Sequence, residues 1–318
     1  MSPTLKLHVW PGNWNLPSLD PSCIAAVIFM QLMVPGRFSI VEAVNPDSSI
    51  TGQFPYLKHE NQVVAPLSSI LKYVSTLPGA KQDALRDPQG GSQTAWVTYA
   101  ESNLGDLVAN MFYAVERNWA GLTHPTLVKH FPVPQNYYAP QRIRATYQSR
   151  LEAVGLWCLP ELKEPDNKPR FREEKGAKKR DEIKPKDKFV RVFEREKVAE
   201  KARAVLEVLE RLLGSDEYFG GGDRPSQLDI IVAAHILLLQ IPPFPDPLIK
   251  DVLSDSFPNL ASHANRIRQQ ALENVDIPTT TTSTWWSDDV WINRFRMGFM
   301  GITLGGIAVS LYTGRLTV

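Results

Sequence analysis

With 318 residues, a formal net charge of +1 and a hydrophobic fraction of 43%, the chain has the size and composition of a globular protein that can hold two domains. The small net charge excludes recruitment of nucleic acid or anionic lipid by a global electrostatic field. The two cysteines, Cys23 and Cys158, form no CxxC motif, which excludes a disulfide scaffold and favours a reducing, cytosol-facing location.

The first 77 residues have the pattern of a small domain with strands and helices. No charged start is followed by a long apolar core, so no secretory signal is predicted. Alternation, caps and turn signals predict strands over 5–10 and 37–43, a helix over 20–32, a hairpin of 54–58 with 62–64, and a helix over 68–76. The crossover helix makes the first two strands parallel. This order of elements predicts a thioredoxin-like domain over residues 1–77.

The next part of the chain is predicted to be helical. Proline, glycine and polar residues over 78–93 indicate a linker, and an all-helical domain follows over 94–278. Within it we predict helices over 94–119, 141–157 and about 189–213, with a rigid proline-rich connector over 131–140. Residues 161–188 form a charged insertion with too little apolar area to order itself. The insertion is interpreted as a solvated linker, or alternatively as a contact for anionic lipid or an acidic partner.

Ser226 and Asp229 form the clearest local signal in the chain. They stand three residues apart at the start of an apolar run, which is the spacing of a capping box. From Leu228 to Leu239 almost every residue is apolar, so this helix is predicted to be buried on all sides. Loss of the cap would cost on the order of 1 kcal/mol.

Motifs that carry chemistry are not found in the sequence. The six histidines include no HExxH motif and no Cys/His spacing typical of zinc, and His235 falls inside the apolar run. The glycines at 220–222 are not followed by the Lys-Ser/Thr pair of a phosphate-binding loop. No GxSxG hydrolase elbow is present. We therefore predict no catalytic residue, no cofactor, no metal site and no nucleic-acid partner.

The last 40 residues, 279–318, are predicted to be a polar, flexible linker followed by a membrane anchor over about 297–314. The 18 uncharged residues would span about 27 Å as a helix, enough for a thin bilayer. The side chains and glycines that mark this anchor are Trp291, Met297, Gly298, Gly301, Gly305, Gly306 and Tyr312. Gly301 and Gly305 form a GxxxG motif, which lets a helix approach another surface closely. A buried terminal helix of a soluble domain is the alternative.

Two short sequence patterns resemble motifs of the glutathione-transferase fold. Ser226-x-x-Asp229 resembles the start of the core helix in its all-helical domain, and Gly52-Gln-Phe-Pro55 resembles its strand with a cis proline. The resemblance implies an α+β fold and gives Pro55 a structural role. It also places Pro66-Leu67 where the enzymes hold the γ-glutamyl group of glutathione through a Glu/Gln-Ser pair. Neither side chain can hydrogen-bond that group.

The position of the activating Tyr, Ser or Cys in these enzymes corresponds to the loop after the first strand or to the start of the next helix. Here that region contains Ser18, Ser22 and Cys23. Cys23 opens an apolar run, which favours a packed thiol over a reactive one. The resemblance therefore predicts a chain that keeps the fold but is not an enzyme.

Several longer motifs are similar to the metaxin family. They are Trp10 followed by Leu-Pro-Ser-x-Asp-Pro-x-Cys23, Asn136-Tyr-Tyr-Ala-Pro140, Tyr218-Phe-Gly-Gly-Gly-Asp-Arg-Pro-Ser226, and Phe257-Pro-Asn-Leu260. This resemblance implies a non-catalytic scaffold on the mitochondrial outer membrane with its bulk facing the cytosol. It further implies the larger, membrane-anchored metaxin-type subunit of a fungal sorting and assembly machinery. Expected partners are the barrel-shaped core subunit, a second metaxin-type subunit and β-barrel precursors.

Two other functions stay open at this point. A tail-anchored glutathione transferase would keep activity with a model electrophile, or would be retained on glutathione resin. A soluble adaptor with the same fold would be extracted by alkaline carbonate.

Overall fold

The structure is a computed structural model that describes residues 5–46, 49–86, 91–157, 185–273, 277–281 and 298. Its sheet has five strands in the order β4-β3-β1-β2-β5. The strands are β1 (Leu5–Val9), β2 (Phe38–Glu42), β3 (Tyr56–His59), β4 (Gln62–Val64) and β5 (Thr279–Thr281). β1 pairs in parallel with β2 and antiparallel with β3, so Leu7 lies opposite both Ile40 and Leu57. The parallel pair and the β3–β4 hairpin confirm the sequence prediction.

Two helices belong to the sheet region, α1 (Pro21–Met33) and α2 (Leu67–Ser75). α1 begins where predicted because the Asp20 carboxylate accepts the Cys23 amide at 2.9 Å, and Pro21 supplies a favourable first residue. Residues 23–30 of α1 are all buried. This part of the helix has no solvent-exposed face, because α2 and a central helix of the second domain, over residues 227–240, both pack against it.

The helical domain surrounds one central helix. Its helices are α3 (Gly91–Ala109), α4 (Glu116–Asn118), α5 (His124–His130), α6 (Ala139–Ala153), α7 (Pro185–Leu213), α8 (Gln227–Gln240), α9 (Leu248–Ser256) and α10 (Pro258–Ala271). Short 3-10 turns cover Gln82–Ala84 and Gln135–Tyr137. α8 is the central helix, with α1, α3, α9 and α10 packed around it. Residues 228–239 of α8 are buried, and Ser226 and Asp229 form a complete capping box at its start.

The prediction of a single helix over 94–119 was wrong. α3 starts at Gly91 and passes into a π-helical turn at Asn110–Ala114, after which Val115 has extended backbone angles (φ −71°, ψ 111°). A second π turn, Trp119–Thr123, joins α4 to α5. Hydrogen bonds to distant parts of the chain hold this break, because buried Asn110 donates to the Leu156 carbonyl at 2.6 Å and Arg144 Nε donates to the Tyr113 carbonyl at 2.8 Å. Periodicity along one segment cannot reveal such partners.

Thr279 does not begin a flexible linker as predicted, since it opens β5 at the edge of the sheet beside β2. The Ile40 amide donates to the Pro278 carbonyl at 2.9 Å, and Thr280 Oγ1 donates to the Ile40 carbonyl at 3.4 Å. β-branched threonines suit a strand. β5 thereby covers the edge of β2.

Two sequence predictions fall mainly outside the described residues. The charged insertion predicted over 161–188 is described only from Pro185, where α7 already begins, four residues before the predicted start at 189. Of the residues predicted to mark the anchor, only Gly298 is described, and it is exposed. Trp291, Met297, Gly301, Gly305, Gly306 and Tyr312 lie outside. A search of the described part of the chain for a helix with the length and apolarity needed to cross a membrane found none.

Candidate functional site: the cleft beside Pro55

A cavity of about 470 Å³ lies between the sheet region and the helical domain, next to Pro55. α3 lines one wall with Glu101, Gly105 and Val108, which share one helical face, and Phe112 of the following π-helical turn extends this wall. α6 lines another wall with Ile143, Tyr147 and Arg150. The start of α1, the start of α2 and His235 of α8 close the remaining sides.

The wall next to Pro55 keeps the backbone form of a ligand-binding fold without the side chains that would hold glutathione. The Phe54-Pro55 bond is cis, and Pro55 lines the cavity. At the start of α2, Pro66 is the N-cap residue and makes no side-chain hydrogen bond, and Leu67 is the first helical residue. Both line the cavity beside Ser68. This wall therefore lacks, at positions 66 and 67, the side-chain donors and acceptors that a γ-glutamyl group requires.

A carboxylate occupies the start of α1. Asp20 lines the cavity, and its Oδ2 accepts the Cys23 amide. Burial raises the pKa of Asp20, while hydrogen bonds from Cys23 and Ser22 act in the opposite direction. Where a transferase would use helix amides to stabilise a thiolate, the Cys23 amide already binds Asp20, and the ionised form of this carboxyl would repel a thiolate. Sequence reasoning treated Asp20 only as a helix start.

The hydroxyl and thiol candidates are not arranged for activation of a ligand. Ser18 is fully buried, and its Oγ accepts the Asp20 amide at 3.2 Å. Ser22 lines the cavity but stands next to the Asp20 carboxylate. Cys23 is 0% exposed, and burial, followed by the charge of Asp20, raises its pKa well above the usual range for a thiol. The packed Cys23 that the sequence favoured is the one observed.

We expect Cys23 to resist thiol reagents in the folded chain. In a Cys158→Ser background, modification of Cys23 by a disulfide reagent at pH 8 should be at least about a thousandfold slower than in urea-unfolded chain, because reaction requires local opening and a thiolate. The measurement is the rate of reagent release followed by absorbance. Modification in the folded state at the rate of the unfolded chain would show an exposed, reactive thiol.

Two tyrosines form the aromatic floor of the cavity. The rings of Tyr113 and Tyr147 stack with centroids 4.3 Å apart and an interplanar angle of 8°. Burial, followed by the charge of Asp20, raises the pKa of Tyr147 to about 12, and burial raises that of Tyr113 well above its usual range. Both phenols keep their protons at neutral pH and cannot act as bases. Nothing in the sequence singled out this pair, because its members come from different helical segments.

His235 and Arg150 meet the cavity at Gly105. His235 is 4% exposed, and its Nδ1 lies 2.7 Å from the Ile231 carbonyl. Because a carbonyl only accepts, Nδ1 carries the proton and Nε2 is an acceptor. Burial lowers the pKa of His235 to about 4, so the ring is neutral at pH 7. Arg150 Nε donates to Asp106 at 2.6 Å, which makes the guanidinium part of an ion pair.

Comparisons with known proteins agree with this fold. A glutathione S-transferase of Ceriporiopsis subvermispora in complex with glutathione superposes with a TM-score of 0.51 at 15% identity, covering 86% of this chain and 99% of that one. A model described as the glutathione S-transferase C-terminal domain matches residues 202–267. The fold is therefore glutathione-transferase-like, with a mixed sheet and a helical second domain.

The sequence comparisons find more specific relatives within this fold class. A model described as an outer mitochondrial membrane transport complex protein, Tom37, matches residues 23–144. Metaxin-1 of Macaca fascicularis is 26% identical over 75% of this chain, and metaxin-3 of Danio rerio is 24% identical over 84%. The chain is therefore similar to metaxins over most of its length. It spans about two thirds of the macaque relative, 66%, and 75% of the zebrafish one.

Proposed function

We propose that this protein is a non-catalytic subunit of the machinery that sorts and assembles β-barrel proteins in the mitochondrial outer membrane. The similarity to metaxins over most of the chain and the match to a model of an outer-membrane transport complex protein support this proposal. We assign it the role of the larger, membrane-anchored metaxin-type subunit of a fungal complex. In that role it would support insertion and release of precursors.

The observation that carries the non-catalytic assignment is the composition of the cleft walls. Pro66 and Leu67 stand where a transferase binds glutathione, and the carboxylate of Asp20 stands where it stabilises the thiolate. Cys23 is buried, and Ser18 is hydrogen-bonded away from the cavity. A scaffold needs a stable body and a surface, and neither requires an activated nucleophile.

The proposed partners are the barrel-shaped core subunit, a second metaxin-type subunit and β-barrel precursors. We propose that residues 297–314 anchor the chain and that residues 1–278 face the cytosol. The uncharged run, its flanking Trp291 and its small-residue face support an anchor that rests against another membrane helix or barrel wall. No nucleic acid is expected to bind.

The test is recovery of partners from fungal mitochondria in mild detergent. A chain with an N-terminal affinity tag should recover a β-barrel membrane protein and a second metaxin-type protein, identified by mass spectrometry. The same tag on a cytosolic transferase is the matched control for resin and fold. Recovery of soluble enzymes alone, with no barrel protein, would overturn the assignment.

A tail-anchored glutathione transferase is the second candidate, favoured by the retained cis Pro55 and the open cavity. We expect no retention of the chain on glutathione resin and no glutathione-dependent turnover of a chlorinated nitrobenzene. A transferase of known activity tested in the same detergent validates both assays. Turnover that disappears in Ser22→Ala would decide for the enzyme.

A further inference from the structure

The acidic side chains around the cleft lack cationic partners among the described residues, whereas the basic side chain there is paired. Asp20 takes part in no ion pair with another described residue, and Glu101 stands on the same wall as Gly105. The cationic side chain in the lining, Arg150, is held by Asp106 at 2.6 Å and by the Ser102 carbonyl at 3.2 Å. Neither carboxyl on this lining therefore has a cationic partner among the described residues.

A buried acceptor adds to this preference. His235 is 96% buried and lines the cavity, and no described residue hydrogen-bonds its Nε2. A methyl group at Gly105 would lie 3.8 Å from this nitrogen, in ordinary van der Waals contact. As an acceptor, Nε2 requires a hydrogen-bond donor as its partner. A ligand with an N–H or O–H group would supply that donor.

Aromatic rings form part of the remaining surface. Trp10, Phe54, Phe112, Tyr113 and Tyr147 all line the cavity. Ring faces carry negative electrostatic potential and attract organic cations. Asp20 lines the same cavity as the stacked tyrosines. A carboxylate beside aromatic rings is the usual composition of a site for an organic ammonium ion.

We propose that the cleft binds an organic ammonium ion with an aromatic or aliphatic body, the cation at Asp20 and the stacked tyrosines and the apolar part along α3 and α6. Such a ligand would favour the ionised form of Asp20 and offset the desolvation that raises its pKa. The site is independent of the proposed function, because it requires neither a membrane partner nor a reaction. The site would prefer a cation, whereas a site that activates glutathione must accommodate a thiolate anion.

The experiment compares three probes of one shape: phenylbutylamine, phenylbutanol and phenylbutyrate. Binding to the full chain in mild detergent is measured by ¹⁹F NMR after fluorotryptophan labelling, with the Trp10 signal identified from Trp10→Phe. We expect the amine to bind at least about tenfold more tightly than the alcohol, and the carboxylate least tightly.

Asp20→Asn is the decisive variant, because asparagine also caps helices well and should preserve α1. In this variant the affinity for the amine should lie within about twofold of that for the alcohol. Subtracting the signal of the variant from that of the unaltered chain removes the contribution of probe that partitions into detergent. Should Asp20→Asn fail to fold, Glu101→Gln should lower the preference for the amine by about threefold instead. Asp223→Asn, on the exposed loop before α8, is the control and should change nothing.

Three outcomes would overturn the proposal. Equal affinity for the amine and the alcohol would mean that the cleft selects only apolar bodies. Tightest binding of phenylbutyrate would mean that the free amides at the start of α2 dominate the site. No binding of any probe at millimolar concentration would mean that the cavity takes no ligand of this class.

Discussion

Replacing Asp229 with alanine should lower the free energy of unfolding by about 3–5 kcal/mol, since it removes the shared acceptor of a buried hydrogen-bond network. Asp229 is 0% exposed and accepts from the Phe219 amide at 2.8 Å and the Ser226 amide at 2.7 Å. It also accepts from Ser226 Oγ at 2.6 Å and lies 2.8 Å from His263 Nε2. Its loss leaves several buried donors without a partner. Urea unfolding of the full chain in mild detergent measures the change.

Two matched variants separate the network from the cap and from surface charge. Ser226→Ala removes the cap hydroxyl but keeps the carboxylate, and should cost about 1 kcal/mol. Asp223→Ala removes a carboxylate whose side chain is 88% exposed, and should change stability by less than about 0.5 kcal/mol. An Asp229→Ala chain as stable as Asp223→Ala would show that the loop before α8 is held by other contacts.

Truncation after Ser283 should move the protein from the membrane pellet to the supernatant in alkaline carbonate extraction, with the pelleted fraction reduced more than about tenfold. This truncation removes residues 284–318, including the proposed anchor, and keeps Thr279–Thr281, which pair at the edge of the sheet. The fold of the body should survive because β5 and everything before it are intact. Circular dichroism checks this, and immunoblotting of both fractions measures the release.

A charge within the tail gives a finer test of the same anchor. Gly305→Arg places a guanidinium near the middle of the uncharged run, which costs about 2.5–3.5 kcal/mol in a bilayer. We expect a reduced pelleted fraction, whereas Asp223→Arg on the body should leave it unchanged. Complete extraction of the unaltered chain by carbonate would favour the soluble adaptor instead. A truncated chain that stays in the pellet would place the membrane contact on the body.

Most of the local structure was predictable because short-range chemistry determines it. Asp20 and Pro21 mark the start of α1, and Ser226 and Asp229 mark the start of α8, through hydrogen bonds within one turn. A continuous apolar run predicted that α8 is buried on all sides. These signals lie within a few residues of one another, so they can be identified without knowledge of the fold.

The cleft was predictable only in its parts. The resemblance placed Pro66 and Leu67 at one wall and directed attention to Cys23, but it did not identify Asp20 as a lining carboxylate. The stacked tyrosines, His235 and Gly105 come from separate helices, and spacing along the sequence gives no indication that they share a cavity. Their pKa shifts arise mainly from burial, which depends on what packs above each side chain.

The sequence by itself determined the class of fold, the order of strands and helices along residues 1–77, the capped core helix and the absence of a nucleophile with an activating motif. These follow from periodicity and from residue types whose effect is local. Only the tertiary structure decided the break at Val115, the strand formed by Thr279–Thr281 and the charge of the cleft. Each of these depends on partners distant in the chain. The free energy of an unpaired carbonyl, of an open sheet edge or of a buried carboxyl is set by the groups that the tertiary structure places next to it.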